Sequence, residues 1–154
     1  CSWYAFKDIW SINRRPILLM HTDIIFNPLY LDNIIKSKKK NIIGIHSNKK
    51  KFKEKSFLIQ VDNNNQIKNI NYKFKIKNPV AEVIGINKIS SFTAENIFAF
   101  MDEYLVKDNK RLSWEIVISK YIKKTHDSLF ILKNQDFFWR NINFESDFLF
   151  IKKL

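Results

Sequence analysis

An α/β fold, with a mixed and mostly parallel sheet flanked by helices and a β-hairpin insertion, is predicted by three features of this sequence. First, short apolar runs at 16–20 and 42–45 read as buried strands, because parallel sheets covered on both faces use continuous apolar stretches. Second, segments of helical period lie between such runs. Third, Asp62-Asn63-Asn64-Asn65 separates two strand-like arms, and Asn and Asp tolerate the left-handed geometry of a tight turn.

The elements follow in order. Residues 3–12 read as the end of a helix. The strand at 16–20 precedes Asp23, and Pro28 opens a helix whose apolar face is Leu29, Leu31, Ile34 and Ile35. After the strand at 42–45 comes a Lys-rich loop. The hairpin arms are 57–61 and 67–76; in the second, Ile70, Tyr72, Phe74 and Ile76 alternate with Lys73, Lys75 and Lys77, as on a half-exposed strand. A further strand spans 80–89 and is broken at Gly85. Helices are predicted over 92–106, with Thr93 as N-cap, and over 114–121 behind Ser113. Late strands at 129–132 and 138–142 lead to a closing helix over 144–153. No internal repeat and no second domain is visible.

Composition bounds the partners. The 154 residues fit one domain, and 45% of them are hydrophobic, enough for a core. No apolar run approaches the ~20 residues of a membrane span, and the opening lacks a signal-peptide pattern. A single Cys excludes a disulfide framework and a multi-Cys zinc site, and fits a reducing, cytoplasmic setting. The net charge of +12 admits a polyanion partner. Against this, Lys, Asn and Ile supply 64 residues and Arg only four, whereas surfaces that read phosphates and bases favour Arg. The densest Lys cluster, 36–55, reads as solvated loops.

Leu18-Leu19-Met20-His21-Thr22-Asp23 places one carboxylate at the carboxyl end of a strand, where ligand crevices of α/β sheets open. A lone acid there suits a hard cation held against phosphates, or caps the next turn. Three more segments join it: the hairpin through Lys73, Glu82-Val83-Ile84-Gly85-Ile86, and Trp139-Arg140-Asn141-Ile142-Asn143-Phe144-Glu145-Ser146-Asp147. In this order and spacing they resemble the nucleotidyltransferases that make nucleotide-diphospho compounds. The likeness is nearest to bacterial phosphocholine cytidylyltransferases and their sugar-phosphate and phosphonate relatives.

The resemblance implies a Rossmann-like nucleotidyltransferase fold. It implies an enzyme that transfers a nucleoside monophosphate, with CTP as the favoured donor, to a small phosphorylated acceptor such as phosphocholine or a sugar phosphate, releasing pyrophosphate. It implies magnesium (Mg2+) as cofactor and a place in cell-surface polysaccharide or lipid decoration; composition gives no membrane partner and disfavours a nucleic-acid one. It implies that Asp23 is the catalytic, metal-holding acid, that Asn143 stands at the second metal position, and that Thr22 and Asp147 support them. A neutral amide at Asn143 is a weaker magnesium ligand than a carboxylate. Asp147 is equally read as a helix cap.

Around this centre, Glu82 contacts acceptor or ribose, or forms a strand-edge salt bridge. Lys73 reaches an acceptor phosphate, or is one of three solvent-facing Lys residues. Trp114, Glu115 and Trp139 wall a cationic acceptor, or are two core rings and a helix-start acid favoured by the dipole. His21, His46 and His126 lack metal-ligand spacing and read as structural. The family's glycine-rich N-terminal loop, which cradles the triphosphate, has no counterpart here. The chain therefore reads as the C-terminal two-thirds of a domain of about 230–250 residues, without turnover by itself. Two other readings stay open: a basic α/β nucleic-acid-binding module, and a non-catalytic remnant of the fold.

Overall fold

The computed structural model describes residues 2–47, 56–72, 75–104, 113–133 and 138–152. Strand β6 (Ala81–Ile89) is the spine of the molecule. On one edge it pairs antiparallel with β3 (Ile42–His46), which in turn pairs in parallel with β7 (Phe130–Lys133). Its other edge holds β4 (Phe57–Val61) at its start and β1 (Ile17–Met20) at its end, both antiparallel. Strand β5 (Ile67–Tyr72) closes the hairpin on β4. Thus β1, β3, β4 and β7 run one way and β5 and β6 the other. The sheet is mixed as predicted and four of its six strands run one way, but β6 lies between β3 and the β1 and β4 edge, so the pairings are mostly antiparallel and β3–β7 is the one parallel pair among the described residues.

Both faces of β6 are buried, as its largely apolar sequence requires, and Glu82 and Asn87 are buried within it. On one face, Val83 and Ile89 pack with α3 (Ser91–Tyr104) and α4 (Trp114–Thr125), and Trp10 of α1 (Ser2–Asn13) joins them. On the other, Ile84 and Ile86 meet Tyr30 and Ile34 of α2 (Pro28–Lys36). A two-stranded sheet of β2 (Ile24–Phe26) and β8 (Trp139–Asn141) lies on that second side, followed by α5 (Glu145–Ile151). No helix among the described residues is long and apolar enough to cross a membrane.

Tyr30 locks this second layer. Its buried hydroxyl donates to the Leu132 carbonyl at 2.6 Å and accepts from the Ile45 N–H at 3.1 Å, tying α2 to β3 and β7. Gly44 makes the room: a Cβ there would come within 2.9 Å of that hydroxyl.

Several elements differ from expectation. Strand β1 is only half buried, since Leu18 and Met20 are 41% and 42% exposed while Ile17 joins the core. Strand β6 is continuous through Gly85, whose φ of +83° accommodates a local deviation without ending the ladder. The cap of α3 is Ser90, whose Oγ accepts from the Thr93 N–H at 3.2 Å; Thr93 itself is buried in the helix. Helix α4 runs to Thr125 and stops where His126 turns left-handed at φ 57°. Strand β5 is described to Tyr72, and Lys73 and Phe74 lie outside the described residues.

Candidate active site

A cleft of about 550 Å³ opens where the carboxyl ends of β1 and β3 meet the first residues of β6 and the β2–β8 ladder. Four residues singled out in the sequence line it: Glu82, Glu115, Trp139 and Asn143. They are joined by His21, His46, Ser56, Phe57, Phe138, Arg140, Asn141 and Phe150.

Each is held by its element. His46 stands directly across the β3–β6 ladder from Glu82, and its ring lies 5.9 Å from the Trp139 ring. Glu82 is 8% exposed and accepts a hydrogen bond from the equally buried Ser56 hydroxyl. Glu115, in the first turn of α4, is 2% exposed; its carboxylate is stabilised by the helix N-terminus. Two acids and several aromatic faces thus border one half-open space.

His21 sits at the junction. Its Nε2 is 3.3 Å from Glu115 Oε1 and also meets the Trp114 indole N–H. Without a proton, this nitrogen accepts from Trp114; with one, it donates to Glu115. The Glu115 hydrogen bond holds the His21 pKa above its usual value against the opposing effect of burial, with the charges of Glu115 and Asp23 adding to it. Trp114 itself is a core residue, 6% exposed, turned to His21.

Asp23 and Thr22 lie exposed in the turn between β1 and β2. The Asp23 carbonyl accepts from the Ile142 N–H at 2.7 Å, extending a ladder in which Ile24 faces Asn141. The fold therefore brings the Asp23 and Asn143 segments side by side. Their side-chain donors are all oxygen, which suits Mg2+, an ion that keeps several waters and takes few protein ligands. Among the described residues, no three His, Cys, Asp or Glu side chains cluster to hold a metal.

Asp147 has a different position. It is 5% exposed; Oδ1 accepts from Arg140 Nε at 2.9 Å and Nη2 at 2.7 Å. Oδ2 accepts from the Asn143 and Phe144 N–H groups at 3.1 and 3.2 Å. All four lone-pair directions are filled, so Asp147 caps α5 and fixes Arg140 and leaves no oxygen for a metal. Lys73 lies outside the described residues, as do Lys49 to Lys55 of the basic cluster.

Sequence reasoning missed His21, His46, Arg140 and Asn141 as cleft residues. His21 carried a signal, its place two residues before Asp23. Arg140 carried another, as one of only four Arg residues and inside the late motif. His46 and Asn141 reach the cleft through strand pairing alone.

No protein-family model and no curated protein sequence matches the chain. Solved structures do match. The inositol-1-phosphate CTP transferase of T. maritima superposes with a TM-score of 0.73 at 15% identity, over 95% of this chain and 56% of that one. CTP:phosphocholine cytidylyltransferase (LicC) of Streptococcus pneumoniae gives 0.65 at 12% identity, over 98% and 62%. A chain described as a glucose-1-phosphate thymidylyltransferase of Bacillus anthracis gives 0.64 at 15%, over 93% and 55%. This chain spans 55–62% of the length of these three. Its fold is the Rossmann-like nucleotidyltransferase fold that its sequence resembles.

Proposed function

We propose that the chain is the acceptor-side part of a nucleotidyltransferase that moves a nucleoside monophosphate, CMP in the favoured case, onto a small phosphorylated acceptor bearing an ammonium group. The observation that carries this reading is the cleft: two buried acids, Glu82 and Glu115, beside Trp139 and Phe57, with the exposed Asp23 two residues beyond the lining residue His21. An ammonium headgroup satisfies both features, through charge and through cation–π attraction worth about 0.5–2 kcal/mol per ring.

In this reading Arg140 faces the acceptor phosphate, and Asp147 fixes the guanidinium so that little ordering is left for binding. An acceptor phosphate oxygen attacks the α-phosphorus in line, the new P–O bond forms, and the bond to pyrophosphate breaks. Asp23 and Asn143 would hold the Mg2+ that neutralises charge on the reacting phosphates. The donor's triphosphate needs backbone amides and basic side chains of a kind supplied by a glycine-rich loop, so turnover belongs to a longer chain that carries one.

Pyrophosphate release by such a parent, with CTP or UTP and magnesium, tests this. Phosphocholine and phosphoethanolamine are expected to support release, sugar 1-phosphates to do so weakly, and Asp23→Asn to abolish it. Release with sugar 1-phosphates alone would overturn the acceptor assignment. Silence with every pair, in a parent carrying the loop, would overturn the enzymatic one.

A further inference from the structure

We infer that His21 is a positioning residue for the Asp23 carboxylate, an inference that rests on reading Asp23 as the metal-holding acid. The link from β1 to β2 is three residues, His21, Thr22 and Asp23, and the last two are exposed. Two backbone bonds fix its ends: His21 N–H to the Gly85 carbonyl at 2.9 Å, and Ile142 N–H to the Asp23 carbonyl at 2.7 Å. The only side chain of the link anchored to the core is His21. Its ring rests on Gly85, where a Cβ would come within 2.5 Å of Nδ1. Its Nε2 is met by Trp114 and Glu115 at the start of α4, a helix packed into the main core. The ring thus transmits the position of a rigid helix to the turn that carries Asp23.

A role in stability alone accounts poorly for this arrangement. It engages a carboxylate side chain that is 3% exposed and the indole N–H of the buried Trp114, while the His21 side chain itself stays 30% exposed.

The test uses Mn2+ as a paramagnetic probe on the 154-residue chain, following broadening of the Ile142 and Asn143 amide resonances during titration. His21→Ala is expected to weaken Mn2+ binding at least fivefold, measured well below its melting temperature. His21→Gln sets an amide near the position of Nε2, so it is expected to stay within twofold of the native chain. Trp114→Phe keeps an aromatic ring, though a smaller one, and removes the N–H, and serves if the alanine variant does not fold; a two- to threefold loss is expected. Native affinity in His21→Ala, or in Trp114→Phe where that stands in, together with loss in Asp23→Asn, would overturn the role of His21 and spare that of Asp23. Native affinity in Asp23→Asn would overturn both.

Discussion

Gly85 and His21 share one small space: a Cβ on Gly85 would lie 2.5 and 2.6 Å from two atoms of the His21 ring and 3.0 Å from its Cβ, and the Gly85 backbone holds φ at +83°. Alanine at this position meets both a clash and a strained backbone. Gly85→Ala is expected to destabilise the fold by about 2 kcal/mol or more, read as a fall in the urea midpoint. An unchanged midpoint would mean that the ring is free to move aside.

Tyr30 donates to the carbonyl of the half-buried Leu132 and accepts from the buried Ile45 N–H. Tyr30→Phe keeps the ring and strands both groups. A loss of about 1–3 kcal/mol is expected, measured by chemical denaturation with an unchanged m-value. A neutral result would show that the second layer is held by apolar packing alone.

Asp147 gives a pH signature. Arg140, and then the Asn143 and Phe144 amides, hold its carboxyl below the usual carboxylate range. A depressed folded-state pKa means stability that is present above the unfolded value, near 3.9, and lost as pH falls through the folded one. Asp147→Asn is expected to lower the melting temperature at pH 7 and to flatten this part of the acid limb. It is expected to leave Mn2+ broadening at Asn143 in place, whereas a metal-ligand role would remove it.

We propose that the positive charge reflects composition and not a polyanion site. Changing Lys49, Lys50 and Lys51 together to Gln is expected to leave pyrophosphate release by the loop-carrying parent within about twofold, while Asp23→Asn loses about a hundredfold or more. A nucleic-acid-binding module would show the reverse order, with binding that falls steeply with salt.

Much of the fold was legible because its strands announce themselves. The apolar runs of β3 and β6 and the Asn/Asp turn need no tertiary knowledge. Strand β2 was not legible: its three residues become a strand only by pairing with β8, far along the chain. The half-buried state of β1 was hidden for a related reason, since Ile17–Met20 reads as uniformly apolar whether or not both of its faces are covered. Among the residues that line the cleft, Glu82, Trp139 and Asn143 stand in motifs readable from their order, whereas Asp23 is not in that lining. The inward turn of Trp114 and the central place of His21 were not readable, because both depend on a contact across 93 positions. Asp147 shows the opposite lesson: its spacing to Asn143 allowed a cap or a ligand, and four hydrogen bonds decide for the cap.

The most direct test of the cleft as an acceptor site is a phosphocholine titration of the 154-residue chain followed by 1H–15N NMR. The account predicts saturable shifts of the Trp139 indole and of the Glu82 and Asn143 amides, weakened at least fivefold in Glu82→Gln, with glucose 1-phosphate giving smaller shifts. Equal shifts for both ligands, or shifts confined to residues outside the cleft, would contradict it.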